Sequence, residues 1–255
     1  MSAIHERTEL LVGSEGLDRL SRKHVLIAGL GGVGSYAAEA IARAGVGRVT
    51  LIDHDVIDAS NLNRQLVALH STLGQRVSDA MAARVRDINP DIDVRTIGTF
   101  LCPANVDDVI PAELDYALDC IDSIAGKAVL VASCQERGIP VASSMGAGGR
   151  LDPTALRTGP LEHSTLCPLA RELRKRLRRM GASLDYPVVY SIEKPLKGTE
   201  HRPFNGSRPG RSRTVNGTIS YLPPLFGYML AGLVIRGLLA EANAGRVRPA
   251  RLRSA

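Results

Sequence analysis

A glycine loop fixes how this chain must begin. Gly29, Gly31 and Gly34 form G-x-G-x-x-G, with Gly32 and Val33 inside it, directly after an apolar, strand-like run from His24 to Ala28. A helical stretch, Tyr36 to Ala44, follows, and then a second strand-like run, Arg48 to Ile52. Strand, glycine turn, helix and strand make a β-α-β unit. The glycines allow a tight turn and close backbone approach to phosphate, and the helix N-terminus aims its dipole at the anion. Sites for NAD, FAD, S-adenosylmethionine and ATP share this fingerprint, so alone it predicts a nucleotide without choosing one.

The alternation continues. Apolar residues at Val77, Ala80, Met81, Val85 and Ile88 have helical spacing after Gly74 and stop at Asn89-Pro90. Further strands are expected at Asp91 to Ile97, Tyr116 to Cys120 and Ile139 to Ser143, with a helix at Ala125 to Arg137. The class is therefore α/β: a Rossmann-like, mostly parallel sheet with helices on both faces. Beyond Gly149 the pattern changes to a basic helix (PLARELRKRLRRM, 168–180), a crossover loop over 194–216 rich in Arg, Gly, Pro and Ser, a short strand after Asn216-Gly217, and an apolar C-terminal helix. The expected organisation is a Rossmann-like nucleotide-binding region over 1–150, the remainder of the same domain over 151–242, and a basic, fraying tail over 243–255.

Composition narrows the function classes. With 255 residues, 44% of them apolar, the chain can bury a sizeable core. The net charge of +6 favours acidic partners such as nucleic acid or a phosphorylated ligand. Cys102, Cys120, Cys134 and Cys167 contain no C-x-x-C pair, so neither a disulfide framework nor a zinc ribbon is indicated. The charged N-terminus MSAIHERTEL has no apolar stretch of the signal-peptide kind, which predicts a cytoplasmic protein. Residues 221–240 approach membrane-spanning length but carry Pro223, Pro224 and Arg236, and read as a buried helix with peripheral membrane contact left open.

The polar residues after the second strand separate the nucleotide readings. Asp53 ends that strand, where an acidic side chain accepts hydrogen bonds from ribose hydroxyls. Asp55 and the run Ser60-Asn61-Leu62-Asn63-Arg64-Gln65 follow. A dehydrogenase needs no such cluster here, whereas a site that displaces pyrophosphate needs cationic donors on the leaving group, and Arg64 is a candidate. Asp122, at the C-terminal end of a strand in Asp119-Cys-Ile-Asp122-Ser, can hold magnesium against phosphates or cap the following helix.

Taken together, GLGGVGS at 29–35, D-x-D followed by SNLNRQ over 53–65, INP at 88–90 and LDCIDS at 118–123 resemble the E1-like superfamily of ThiF, MoeB and HesA type proteins. The resemblance implies an adenylating enzyme using ATP and Mg2+, usually a homodimer. In it Gly29, Gly31, Gly32 and Gly34 form the phosphate loop, Asp53 meets ribose, Asn61 and Arg64 meet the phosphates, Asp122 binds the metal, and Asp55, Gln65 and Arg76 are counted among the nucleotide-binding residues. Arg7, in ERTELLVG, resembles the arginine that reaches the partner subunit's nucleotide, so Arg7, Arg64 and Asp122 are the expected catalytic set. GAGGRLDPT at 146–154, the helix from Pro168, and VVYSIEKP with NGTISYLPPLFGYMLAG at 216–232 further resemble the tRNA threonylcarbamoyladenosine dehydratases. These are said to adenylate the threonylcarbamoyl carboxylate at position 37 of tRNA, which then cyclises.

The chain departs from that pattern at Val77, where the family usually has lysine; Arg76 or Lys127 is the expected replacement donor. Cys167 stands where the dehydratases often carry an acidic residue, and reads as a packed filler rather than a nucleophile. Arginines in the basic helix and in RPFNGSRPGRSR (202–213) are expected to track an RNA backbone. Adenylation of a ubiquitin-like or sulfur-carrier protein, a catalytically silent nucleotide-binding module, and docking of a sulfur-transfer partner protein are the readings left beside this one.

Overall fold

The computed structural model describes residues 3–200 and 214–240. Its centre is β1 (His24–Ala28), buried at every residue and paired in parallel on both sides, with β2 (Arg48–Ile52) and with β4 (Tyr116–Asp119). A strand covered on both faces needs apolar residues throughout, which is why HVLIA shows no alternation. The other strands of the sheet are β3 (Asp93–Ile97), β5 (Val141–Ser144), β6 (Leu156–Pro160) and β7 (Pro187–Ser191), in the order β3-β2-β1-β4-β5-β7-β6. All neighbouring pairs are parallel except β6 with β7. A separate antiparallel pair joins β8 (Thr199–Glu200) to β9 (Thr214–Val215).

Helices α1 (Glu6–Ser21), α2 (Gly34–Arg43), α3 (Val77–Ile88), α4 (Val106–Val109), α5 (Ile124–Glu136), α6 (Pro168–Arg179) and α7 (Leu222–Ala240) cover the sheet. One buried cluster joins α2, α3 and α7 to one face, and a second joins α4, α5 and α6 to the other. The sheet runs unbroken from the Rossmann-like half into the segment beyond Gly149, through β7 and β6.

Several boundaries differ from expectation for local reasons. The third strand begins at Asp93, because Asn89 accepts from the Asp91 N–H through its side chain and from the Ile92 N–H through its carbonyl, holding a turn. The fourth ends at Asp119, and the fifth spans Val141–Ser144. No strand follows Asn216-Gly217. The Gly217 carbonyl accepts from Gly149 and the Thr218 carbonyl from the Asn63 side chain, so this backbone is spent on the loops around it. The arginine-rich run 202–213 and the tail 243–255 lie outside the described residues.

Helix α7 is long and apolar enough to cross a membrane. Its Leu222, Phe226, Leu230, Ala231, Val234 and Leu238 are buried, and it packs on α2, β4, β5 and β7. It is a core helix whose apolar stripe serves the fold. Phe226→Ala is therefore expected to destabilise the protein by about 3–5 kcal/mol, read from the denaturant midpoint; a loss below about 1 kcal/mol would mean that α7 is not part of the core.

Candidate functional site

The strand order reverses between β1 and β4, and at such a switch point the loops leaving two neighbouring strands diverge and open a crevice at the carboxyl edge of the sheet. Here a cavity of about 310 Å³ occupies that place. The loop after β1 supplies Gly29, Gly31 and Gly32; the segment after β2 supplies Asp53, Asp55, Asn61, Arg64 and Gln65; the loop after β4 supplies Asp122. Nine of the residues singled out in the sequence thus line one cavity.

The glycine loop has its fingerprint for steric reasons. Gly29 has φ +83°, and a Cβ there would meet the Cys120 carbonyl at 2.8 Å. A Cβ on Gly34 would collide with the Gly29 carbonyl. Gly34 therefore packs beneath the loop and does not line the cavity. Gly31 faces open space, with only the Gln65 amide nitrogen near the place of a Cβ. Helix α2 begins at Gly34, so its unpaired N–H groups and positive dipole end point toward the crevice.

Asp53 ties the loop to the next strand. One carboxylate oxygen accepts the Leu30 N–H at 2.6 Å and the other the Asp55 N–H at 2.8 Å, and each keeps a lone pair for a ligand. Asn61 uses its side-chain oxygen on the Asp58 N–H, which leaves its NH2 group for other partners. Arg64 is braced by the Ser60 carbonyl and the Asn63 side chain, each at 2.9 Å through one guanidinium nitrogen. Gln65 has a buried side-chain oxygen with no hydrogen-bond partner. An orphaned buried oxygen costs stability unless something supplies a donor, so Gln65 fits a bound polar ligand.

Asp122 is exposed and makes no hydrogen bond or ion pair among the described residues. Of the two residues that could cap the following helix, Asp122 or Ser123, it is Ser123 that stands at the N-cap of α5, without a side-chain capping bond, and Asp122 takes no part. Below this loop lies a buried ion pair. Lys127 donates to Asp119 at 2.7 Å and to the Ser144 carbonyl at 2.9 Å, and Ser143 donates to the same Asp119 oxygen at 2.6 Å. Burial pushes the Asp119 carboxyl above its ordinary range, against the opposing pull of Lys127 and Ser143. Lys127, fully enclosed and committed to this pair, is not a donor to the cavity, which corrects one expectation.

Arg76 corrects another. As the N-cap residue of α3 it lies outside the cavity, with its guanidinium against Gly98 after β3. Val77 is 1% exposed and belongs to the apolar cluster under α3, so packing occupies the place of the family lysine. Arg7 sits exposed on α1 and does not line the cavity of its own chain. Among the described residues, Arg64 is the only Lys or Arg that does, facing Asp53, Asp55 and Asp122.

The cavity wall also contains residues that sequence reasoning did not single out. Phe100, 47% exposed after β3, meets His54 edge-to-face at 5.1 Å, and Ala147, Gly148 and Thr218 also line the cavity. Only the family-like strings GAGG and NGT hinted at the latter. Cys120 lines the floor; burial, reinforced by the Asp119 charge, pushes its thiol well up, so it stays protonated and poorly nucleophilic. Cys167 is buried at the N-cap of α6, away from the cavity.

The model of the ThiF family matches residues 5–253. The chain belongs to the ThiF family. This ThiF-family chain is 37% identical to the tRNA threonylcarbamoyladenosine dehydratase of Bacillus subtilis (strain 168), over 95% of this chain and 97% of that protein. It is 41% identical to the enzyme of the same name from Haemophilus influenzae, over 90% of each chain. The crystal structure of the Escherichia coli tRNA N6-threonylcarbamoyladenosine dehydratase, TcdA, in complex with ATP superposes with a TM-score of 0.82 and 33% identity, covering 92% of this chain and 93% of that one.

The buried pair gives a stability prediction. Lys127→Met leaves Asp119 without its counter-charge and is expected to cost about 3–5 kcal/mol, measured by chemical unfolding. Substituting both members by apolar residues should recover much of that loss; equal losses for single and double variants would contradict the pairing.

Proposed function

We propose that this ThiF-family chain is an ATP-dependent tRNA threonylcarbamoyladenosine dehydratase acting in the cytoplasm. The observation that carries the reading is the switch-point cavity, lined by both the glycine loop and the free Asp122 carboxylate, in a chain colinear with dehydratases over nearly its whole length.

In this reading the glycine loop and the start of α2 hold the phosphates, Asp53 accepts from the ribose, and Phe100 with His54 flanks the purine. Arg64 and Asn61 donate to the phosphate chain, and the orphaned Gln65 oxygen accepts from an N–H or O–H of the ligand or of a bound water. The threonylcarbamoyl carboxylate attacks the α-phosphorus, pyrophosphate departs, and the acyl adenylate is attacked by a neighbouring atom of the same nucleoside. The ring closes and AMP leaves with one former carboxylate oxygen, so the nucleoside loses the elements of water.

Charge balance in the cavity supports two additions. Three carboxylates and a single guanidinium cannot by themselves hold a triphosphate, because like charges at close range repel. Mg2+, held by Asp122, supplies part of the missing positive charge when bound. Arg7 of a second copy adds a further positive charge. Beside it on α1, Leu10 and Leu11 are 84% and 88% exposed, as expected of side chains that a homodimer covers. The RNA partner meets α6, which buries Ala170, Leu173 and Leu177 and presents Arg171, Lys175, Arg176, Arg178 and Arg179 outward.

The rival readings have less support. The sequence offers no cysteine pair for the zinc of the carrier-protein adenylyltransferases, and a dehydrogenase leaves Arg64 and Asp122 without a task. Purified protein given threonylcarbamoylated tRNA and magnesium ATP is expected to release one AMP for each nucleoside that loses a water by mass spectrometry. An unchanged nucleoside with ATP retained would overturn the dehydratase reading in favour of a silent module.

The contribution in trans has its own test. Asp122→Asn and Arg7→Ala are each expected to lower kcat by a hundredfold or more, on the order of losing one electrostatic stabiliser. Mixed in equal amounts after subunit exchange, the two inactive variants should regain about a quarter of wild-type activity, because half the dimers are mixed and each of those has one intact site. No recovery in verified mixed dimers would place Arg7 outside the partner's site.

A further inference from the structure

Arg150 is 3% exposed, yet no carboxylate lies within ion-pair distance of it among the described residues. Its guanidinium is satisfied by carbonyl oxygens instead. Nε donates to Glu193 at 3.1 Å, Nη2 to Leu166 at 3.2 Å, and Nη1 to Gly148 at 3.3 Å and to Gly146. One planar fork thus grips three segments: the turn over 146–148, the end of β7, and the residue that precedes the N-cap of α6.

Two of these segments matter to the proposed reaction. Ala147 and Gly148 are part of the wall of the cavity that Asp53 also lines. Gly149, the residue between that wall and Arg150, pairs through its N–H with Gly217 and through its carbonyl with Leu196, so the wall is anchored from behind. On the other side, Leu166 has φ +51°, the one non-glycine residue with positive φ among those described. A leucine keeps that conformation only where its surroundings over-determine it, and the bond from Arg150 to its carbonyl is part of that constraint. The next residue, Cys167, begins α6, its carbonyl accepting from Arg171 at 3.1 Å.

We infer that Arg150 is a positioning residue that couples the wall of the nucleotide cavity to the start of the basic helix α6, so that filling the cavity orders the helix start and loading the helix is felt at the cavity. The inference rests on the dehydratase reading for the two ligands, a nucleotide at the wall and RNA on the helix. The physical basis is the rigidity of the guanidinium. Its donors have fixed relative directions, so a displacement of the Gly146–Gly148 carbonyls is passed to Leu166 rather than absorbed by side-chain rotation. Coupling of this kind is reciprocal between the two sites.

Hydrogen exchange measured by mass spectrometry on the full chain, with and without magnesium ATP, tests this without requiring RNA. In the wild type, ATP is expected to slow exchange in the glycine-loop peptide and, by about fivefold or more, in the peptide over 164–172. In Arg150→Gln the glycine-loop response should persist while the 164–172 response falls within experimental scatter. Arg150→Lys keeps the charge but not the fork, and should lose the distant response as well. A merely structural arginine would lower the melting temperature of the variants without producing this selective loss. The inference is overturned if wild-type ATP protection stops at the glycine loop, or if both variants still transmit it. Protection of neither segment in the wild type would overturn the nucleotide reading, and this inference with it.

Discussion

The reversal of strand order beside β1 is the constraint on which the rest depends. Because β2 and β4 flank β1 and their following chains depart in opposite directions, the glycine loop, Asp53 and Asp122 meet although they are far apart in sequence. The two faces of the sheet must then be covered, and the alternation of helices on both sides follows from burying a parallel sheet. The Asp53 carboxylate fixes the crevice locally by binding the backbone of Leu30 and of Asp55. The glycine loop keeps its form because Gly29 and Gly34 occupy places where a Cβ would strike backbone.

Within that frame, electrostatics sets the chemistry. The cavity carries an acidic surplus, and the interior positive charges nearby are committed elsewhere: Lys127 to Asp119, Arg150 to carbonyl oxygens. In the proposed reading, cations from outside the chain balance the polyphosphate in such a site. Metal binding and assembly would supply that charge in the proposed reading, at a site where a packed valine stands in the place of the family lysine. With Val77 inside the apolar cluster and Arg76 turned toward Gly98, Arg64 is left as the cavity's own cationic side chain among the described residues.

Much of this was legible in the sequence, and the reasons are specific. The strands β1 and β2 agree with their expected bounds residue for residue, because short, mostly buried apolar runs beside glycine turns leave little choice of end point. Asp122 was visible as a carboxylate at a strand end, where parallel sheets bind ligands. The antiparallel strands β6 and β7 were not. LRTGP has neither alternation nor an apolar run, and it forms a strand because PVVYS presents an open edge to it. The direction of Arg76 was also hidden, since helical periodicity places a residue on a face but not a guanidinium beside Gly98. Arg150 stands inside the family-like string GAGGRLDPT, but its role gave no signal because its partners are carbonyl oxygens, which every sequence supplies.

The claim at the centre of this account is that the carboxylate is activated by transfer to adenylate, and oxygen tracing tests it most directly. Threonylcarbamoylated tRNA carrying 18O in its carboxylate is incubated with the protein and magnesium ATP, and the nucleotide products are analysed by mass spectrometry. The account predicts that AMP acquires one labelled oxygen and that inorganic phosphate acquires none. Label in inorganic phosphate, with ADP in place of AMP, would contradict it, because the carboxylate would then have been activated at the γ-phosphorus by a site built differently from the one described.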